Sequence, residues 1–288
     1  MGDNPRAMRL ARTRKLPTAP QTPFTLRVTR VARLTWLLLV GLYIIAVRFP
    51  RLTMAQRERV IRSWSRRLLA ILHIRVRCMN EPERWPRSGD GGHGAMIIMN
   101  HISWIDIFVI LSLVPCVFVA KSEIRSWPLV GRLVAGVGTL FIERGKKSHA
   151  RRMNEQIVAA LHGGHIIAVC PEGGTSRGDI LRPFHAALFQ PAINAETTIQ
   201  PVALCYLDQR NQPTQAAAYV DDISLLGCIW NVAGEPRITV EARFAAPIAA
   251  SADTHRRELV YATERLIATE LGVPPPHREP ASARNPRV

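Results

Sequence analysis

Two rhythms of apolar residues run along the chain. Seven short stretches are rich in apolar and β-branched residues, as strands are: Arg75–Met79, Ala95–Met99, Cys116–Ala120, Thr139–Glu143, Ile166–Cys170, Gln200–Tyr206 and Ile238–Phe244. Between several of them lie helix-like patterns, Ile105–Leu113, Ser126–Ala135, His149–His162 and Pro183–Asn194, and Asp253–Leu271 reads as a closing helix. This alternation predicts an α/β domain over residues 75–272, a mixed sheet flanked by helices. Ser88–Gly94 is Gly-rich but lacks the strand–GxGxxG–helix setting of a nucleotide site, so it reads as a turn. Residues 273–288, opening on Pro274-Pro275-Pro276, read as a disordered tail.

The first 74 residues follow a different pattern. Residues 1–30 mix arginine with Pro and Thr, show no hydrophobic period, and read as a disordered basic arm. Leu34–Val47 holds no charge and is bracketed by Arg33 and Arg48. Its 14 residues reach about 21 Å as a helix, short of the ~30 Å of a hydrocarbon core. It can dip into one leaflet, or span by extending its ends and snorkelling its arginines. In Met54–Ile74, Val60, Ile61, Trp64, Leu68, Ile71 and Leu72 recur at helical spacing, with Arg57, Arg59, Arg62, Arg66 and Arg67 between them. With the break at Phe49-Pro50, residues 31–74 read as a helical hairpin lying in an anionic membrane surface. A core helix with a solvated basic side is the plainer account of the second segment.

Charge sharpens that division. The chain carries +16, and residues 1–75 hold 16 Lys and Arg against Asp3 and Glu58, leaving 22 basic against 20 acidic residues in the remainder. A near-neutral remainder and an uncharged segment inside the basic third argue against nucleic acid as the partner. A signal peptide fits poorly, because the basic stretch before Leu34 is long and no Ala-x-Ala site follows Val47; residues 6–30 do resemble a transit peptide in being Arg-rich and acid-poor. Cysteines 78, 116, 170, 205 and 228 form no Cys-x-x-Cys pair and read as small buried hydrophobes of a reducing compartment. His162 and His165 have no carboxylate or Cys at ligand spacing, so no metal site is expected.

Candidate chemistry gathers where strands end. Asn100-His101-Ile102-Ser103-Trp104-Ile105-Asp106 joins the run Ala95–Met99 to the helix pattern Ile105–Leu113. Residues five apart in a helix differ by about 140° after a full turn, so His101 and Asp106 meet only if His101 precedes the helix. Ser103 is then the N-cap and Asp106 lies in the first turn, where its carboxylate can take one ring proton of His101 and leave the other nitrogen free as a base. A capping box, Ser103 to Asp106, is the plainer alternative. Two further strands end on polar groups, Gly138–Arg144 on an acid and an arginine, and Val169–Ser176 on a carboxylate, glycines and hydroxyls.

Taken in order, Asn100-His101-x4-Asp106, Phe141-Ile142-Glu143-Arg144, Pro171-Glu172-Gly173 and Gln200-Pro201-Val202 resemble the four blocks of the glycerophospholipid acyltransferases, specifically the 1-acylglycerol-3-phosphate acyltransferase group. The resemblance spans residues 100–202, and an amino-terminal membrane hairpin is usual in that family. It implies an O-acyltransferase in which His101 takes the proton of the acceptor hydroxyl and Asp106 orients it. Arg144 would hold the acceptor phosphate, and Glu172 with Gly173 the glycerol part. Asn100, Lys121 and Thr175 complete the expected substrate-binding set, Lys121 stabilising negative charge. Acyl-CoA or an acyl carrier protein would deliver the acyl group as a thioester, with no metal or organic cofactor. The acceptor is a membrane lipid and the setting the cytoplasmic face of an inner or plasma membrane. The second block ends Glu143-Arg144 where the family has Asp-Arg, and the third reads Glu172-Gly173-Gly174-Thr175, one glycine longer than Glu-Gly-Thr. Alternatives are a lyso-ornithine lipid or glycerol 3-phosphate acceptor, a covalent hydrolase on Ser103 or Ser176, neither set in Gly-x-Ser-x-Gly, and a non-catalytic membrane-binding relative.

Overall fold

The five residues Ala95–Met99 form strand β2, and all are buried. Met96 and Ile98 enter one core, Ile97 and Met99 the other, which is how a continuous apolar run becomes a central strand. The computed structural model describes residues 22–83, 85, 94–142, 147–220 and 223–277. Its sheet has the order β1-β7-β6-β2-β5-β3-β4, with β8 pairing β6. The strands are β1 (Ile74–Met79), β3 (Val117–Lys121), β4 (Leu140–Ile142), β5 (Ile167–Val169), β6 (Thr198–Leu207), β7 (Ile238–Phe244) and β8 (Ile248–Ala249). β2 runs parallel to β5 and β6, and β3 parallel to β5 and β4, whereas β7 and β8 run antiparallel to β6. The carboxyl ends of β2 through β6 therefore share one edge, where open α/β sheets place ligands.

Helices cover both faces. On one side, α2 (Met54–Ile71), α3 (Ile105–Leu113) and α7 (Leu225–Gly234) bury Leu68, Ile110 and Val232 against Ile97, Met99 and Leu204. On the other, α5 (Lys147–His162), α6 (Gln190–Asn194) and α8 (Arg256–Leu271) bury Ile157, Ile193 and Ile267 against Met96 and Ile98. Two expected helices are broken. Ser126–Ala135 becomes a 3-10 turn, Ser122–Ser126, followed by α4 (Val130–Gly136), with Pro128 between them. Pro183–Asn194 becomes a 3-10 turn, Ala186–Phe189, and the five residues of α6, because Pro183 and Pro191 interrupt the ladder.

The amino-terminal third departs most from expectation. Helix α1 (Phe24–Tyr43) starts inside the stretch read as a disordered arm; residues 1–21 lie outside the described residues. Its anchor is α7, an element the sequence pattern did not reveal. The last carbonyls of a helix lack internal partners. Here Ala233 O and Glu235 O accept from the buried Arg30 guanidinium at 2.9 and 2.6 Å, and Gly234 O accepts from the Thr22 hydroxyl at 2.9 Å. The Arg27 guanidinium also lies 4.5 Å from the Trp230 ring centre. Helical structure continues through a π turn, Ile44–Arg48, and a 3-10 turn, Phe49–Arg51, before Thr53 and Gln56 cap α2 reciprocally. Phe24–Arg51 is thus 28 residues, with a mean hydropathy of 1.8 over its most apolar window, long and apolar enough to cross a membrane by length and composition.

At the other end, residues 273–277 fold back on α8, with His277 Nδ1 bonded to Glu264 Oε2 at 2.8 Å, although they fall within the stretch read as disordered. Residues 278–288 lie outside the described residues, as do 88–93 of the Gly-rich loop. Cys78 is exposed, against the expectation of buried cysteines, and Cys228 is buried.

Candidate active site

β2 ends at Met99, and the next residue prolongs the sheet with its side chain. The Asn100 amide donates to Leu204 O at 3.1 Å and accepts from Leu204 N at 2.7 Å, a side-chain copy of a ladder pair. Asn100 is buried and its amide is engaged by β6, so it sets the position of its neighbour. His101 follows, and its backbone is held on both sides. Its N–H donates to Glu172 Oε1 at 2.7 Å, and its carbonyl accepts from Ser176 N at 2.7 Å.

His101 Nδ1 lies 2.8 Å from Asp106 Oδ2 across the turn into α3. The same oxygen accepts from Ile102 N at 2.7 Å and Ser103 N at 2.9 Å. The orienting reading of Asp106 and the carboxylate half of the capping box therefore hold together: one oxygen meets the ring and accepts from backbone donors that precede the helix. Ser103 is not the N-cap; that position is Trp104, and the Ser103 hydroxyl has no oxygen or nitrogen partner. Asp106 is fully buried, while the His101 side chain keeps 23% of its surface, so one ring edge is spent on the acid and the other faces the cleft.

Burial disfavours a charged His101. Its contact with Cys170 and the hydrogen bond and charge of Asp106 prevail, and the imidazole is held above its ordinary value. The Cys170 thiol is pushed up by burial and stays protonated beside the ring. Glu172, also buried, is pushed up to about 7 against the pull of its two N–H partners, His101 and Arg182.

The cleft continues inward as an apolar cavity of about 980 Å³, large for a small-molecule site. Its walls are Ile45 and Phe49 from the turn after α1, Ile61 and Trp64 of α2, Phe108 and Leu111 of α3, Phe118 of β3 and Leu133 of α4. The mouth holds His101, Gly173, Gly174 and Thr175, with Lys121 at the carboxyl end of β3. Gly173 sits at φ +69°, in the left-handed region that favours glycine, which lets the loop turn sharply beneath the histidine. Gly41 lets α1 approach: a Cβ there would lie 2.8 Å from both Leu133 and the Trp64 ring nitrogen, and that nitrogen donates to Leu37 O at 3.0 Å.

Glu172 is buried, with one oxygen on His101 N and the other on Arg182 N, so it braces the turn that carries His101. The Thr175 hydroxyl is engaged by Tyr219 O, though the residue still lines the mouth. Arg144 lies outside the described residues. Sequence reading missed Tyr206, whose hydroxyl donates to Asp106 Oδ1 at 2.5 Å. The available signal was a tyrosine in an otherwise apolar strand, because a buried phenol needs a partner.

A histidine oriented by a buried carboxylate, lining an apolar cavity on the carboxyl edge of a mixed sheet, suits the transfer of an acyl group between a thioester and an alcohol. Residues 75–205, from β1 to near the end of β6, match the family model described as Acyltransferase. A lyso-ornithine lipid O-acyltransferase of Pseudomonas aeruginosa is 34% identical over 215 residues, 75% of this chain and 79% of that one. A 1-acyl-sn-glycerol-3-phosphate acyltransferase of Neisseria gonorrhoeae is 32% identical over 237 residues, 81% and 88% of the two chains. The chain belongs to the acyltransferase family and is an enzyme of that class. The crystal structure of the 1-acyl-sn-glycerophosphate acyltransferase from Thermotoga maritima shares the fold, with a TM-score of 0.57 at 18% identity over 84% of this chain and 96% of that one.

Proposed function

We propose that the enzyme moves a fatty acyl group from acyl-CoA or an acyl carrier protein to the free hydroxyl of 1-acylglycerol 3-phosphate, giving phosphatidic acid for phospholipid biosynthesis. The observation that carries this reading is the cavity, which joins an apolar channel to the exposed edge of His101. The acyl chain lies in the channel with its thioester carbonyl at the mouth. Asp106 holds the Nδ1 proton, and Nε2 takes the proton of the acceptor hydroxyl as its oxygen attacks the carbonyl carbon. The tetrahedral oxyanion is met by Lys121 or by backbone N–H groups of the mouth. Its collapse breaks the C–S bond, and the departing thiolate takes the proton from His101. The thioester is already activated, so no enzyme nucleophile, metal or organic cofactor is called for. Arg144 receives the acceptor phosphate in this account.

The reaction takes place at a membrane, on its cytoplasmic face in this proposal. α1 is not free to leave the domain, since α7 grips its start and Trp64 and Leu133 its middle. Its outward stripe, Val28, Trp36, Leu39 and Tyr43, continued by Val47 of the π turn, is apolar and exposed, Trp36 by 68%. Such a helix lies in one leaflet with its apolar face down, beside the arginines of α2 that meet anionic lipid. The similarity to the Pseudomonas aeruginosa relative supports a second acceptor, lyso-ornithine lipid. Purified protein given labelled acyl thioester and a panel of lysolipids decides between them. Labelled phosphatidic acid is the expected product, labelled ornithine lipid alone would select the second acceptor, and no labelled lipid at all would overturn both.

A further inference from the structure

Asp106 receives four hydrogen bonds, and one of them is not needed for what the carboxylate does to the ring. Oδ2 takes His101 Nδ1, Ile102 N and Ser103 N, all within five residues in sequence. Oδ1 takes the Tyr206 hydroxyl at 2.5 Å, from β6, one hundred residues away. Tyr206 is buried and one residue beyond the stretch that matches the family model. Oδ2 alone fixes the imidazole, so Tyr206 must matter through the carboxylate. A carboxylate that already accepts strong donors has less charge to offer a further one. We propose that Tyr206 is a positioning residue for the transfer reaction: by donating to Asp106 it locks the second carboxylate oxygen and limits the basicity of His101, so that the ring is unprotonated where it must act as a base. This rests on His101 being that base.

The tyrosine is suited to the role. Burial, then the charge and hydrogen bond of Asp106, push its hydroxyl well above the ordinary value, so it is a donor at every working pH. The other titratable groups facing the cluster are Cys170 after β5, Glu172 in the next loop and Cys228 of α7. Both thiols are raised by burial and stay neutral, whereas Glu172 titrates near 7. The readout must therefore report on the imidazole itself.

The test is Tyr206→Phe in the full chain, with the His101 ring titration followed by NMR and assigned by its absence in His101→Ala. The His101 midpoint is expected to rise by about one pH unit, the scale set by loss of one charge-assisted donor. The acidic limb of kcat should move with it, lowering kcat about tenfold below the midpoint, with recovery at higher pH and KM unchanged. An unmoved His101 midpoint, or a rate loss equal at all pH values, would show that Tyr206 only packs. Should Tyr206→Phe fail to fold, site-specific 3-fluorotyrosine at position 206 keeps the shape and makes a stronger donor. It should shift the His101 midpoint downward, and no shift would overturn the inference. An active His101→Ala enzyme would instead remove the reading on which the inference rests, whatever the tyrosine does.

Discussion

Replacing Asp106 by Asn separates its chemistry from its architecture, because the structure provides a place for each amide atom. The amide oxygen can take the position of Oδ2 and keep His101 Nδ1, Ile102 N and Ser103 N as donors. The amide nitrogen then stands where Oδ1 was and donates to the Tyr206 hydroxyl, which accepts as readily as it donates. Four charge-assisted contacts become neutral ones, and the Tyr206 hydroxyl proton loses the acceptor it had in Oδ1. The expected loss of stability is about 1–2 kcal/mol, a fall in Tm of a few degrees in a chain of this size. Catalysis loses more, because the negative charge that stabilises the imidazolium during proton transfer is gone. The corresponding change in a serine-protease triad costs about 10⁴-fold, and general-base catalysis as a whole contributes about 10²–10⁴-fold. Acyl transfer by Asp106→Asn, assayed with labelled thioester beside a circular-dichroism melt, should fall by at least about a hundredfold with only a small change in Tm. Activity within tenfold of the parent would refute the reasoning and leave Asp106 as a cap alone.

Other consequences are measurable. The pH–rate profile should rise through a midpoint above about 6.5, because His101 is held above its ordinary value and must lose its proton to act; a flat profile from pH 5 to 9 would contradict this. The same raised value means that the His101–Asp106 pair stabilises the fold at low pH and that this contribution is lost as pH rises through the folded midpoint. Incubation with acyl donor alone should leave the intact mass unchanged, since the lipid hydroxyl attacks the thioester directly; an adduct on Ser103, Ser176 or Cys170 would indicate a covalent route. Full-length protein should stay with membranes in ~1 M salt, because screening weakens charge attraction but not apolar burial. Trp36→Asp with Tyr43→Asp should release it in salt without loss of fold, and release of the parent protein would remove α1 as the anchor.

The meeting of His101 and Asp106 was legible in the sequence because local order decides it. Ala95–Met99 and Ile105–Leu113 are observed at the boundaries the pattern implies, and the turn between them brings His101 to Asp106. What escaped depends on partners distant in sequence. α7 carries Gly227 and Gly234 within ten residues, a poor helix by propensity, and is stabilised by burying Val232 and Ala233 and by receiving Arg30. Once α7 is absent from a reading, residues 24–30 have nothing to dock on and look disordered. Asn100, Glu172 and Tyr206 are polar groups whose partners are backbone atoms or a carboxylate from other elements. Their residue types suggested substrate contacts or plain core, and their partners lie on other elements: β6 pairs with β2 beside Asn100 and carries Tyr206, and the loop after β5 brings Glu172 to His101 N.

The central claim is that His101 removes the proton of the acceptor hydroxyl. His101→Ala, assayed with labelled acyl thioester and the lysolipid the parent enzyme prefers, tests it most directly. The account predicts that the variant folds, binds membranes like the parent, and loses about 10²–10⁴-fold in rate. A folded His101→Ala protein that keeps more than about a tenth of the parent rate would contradict it.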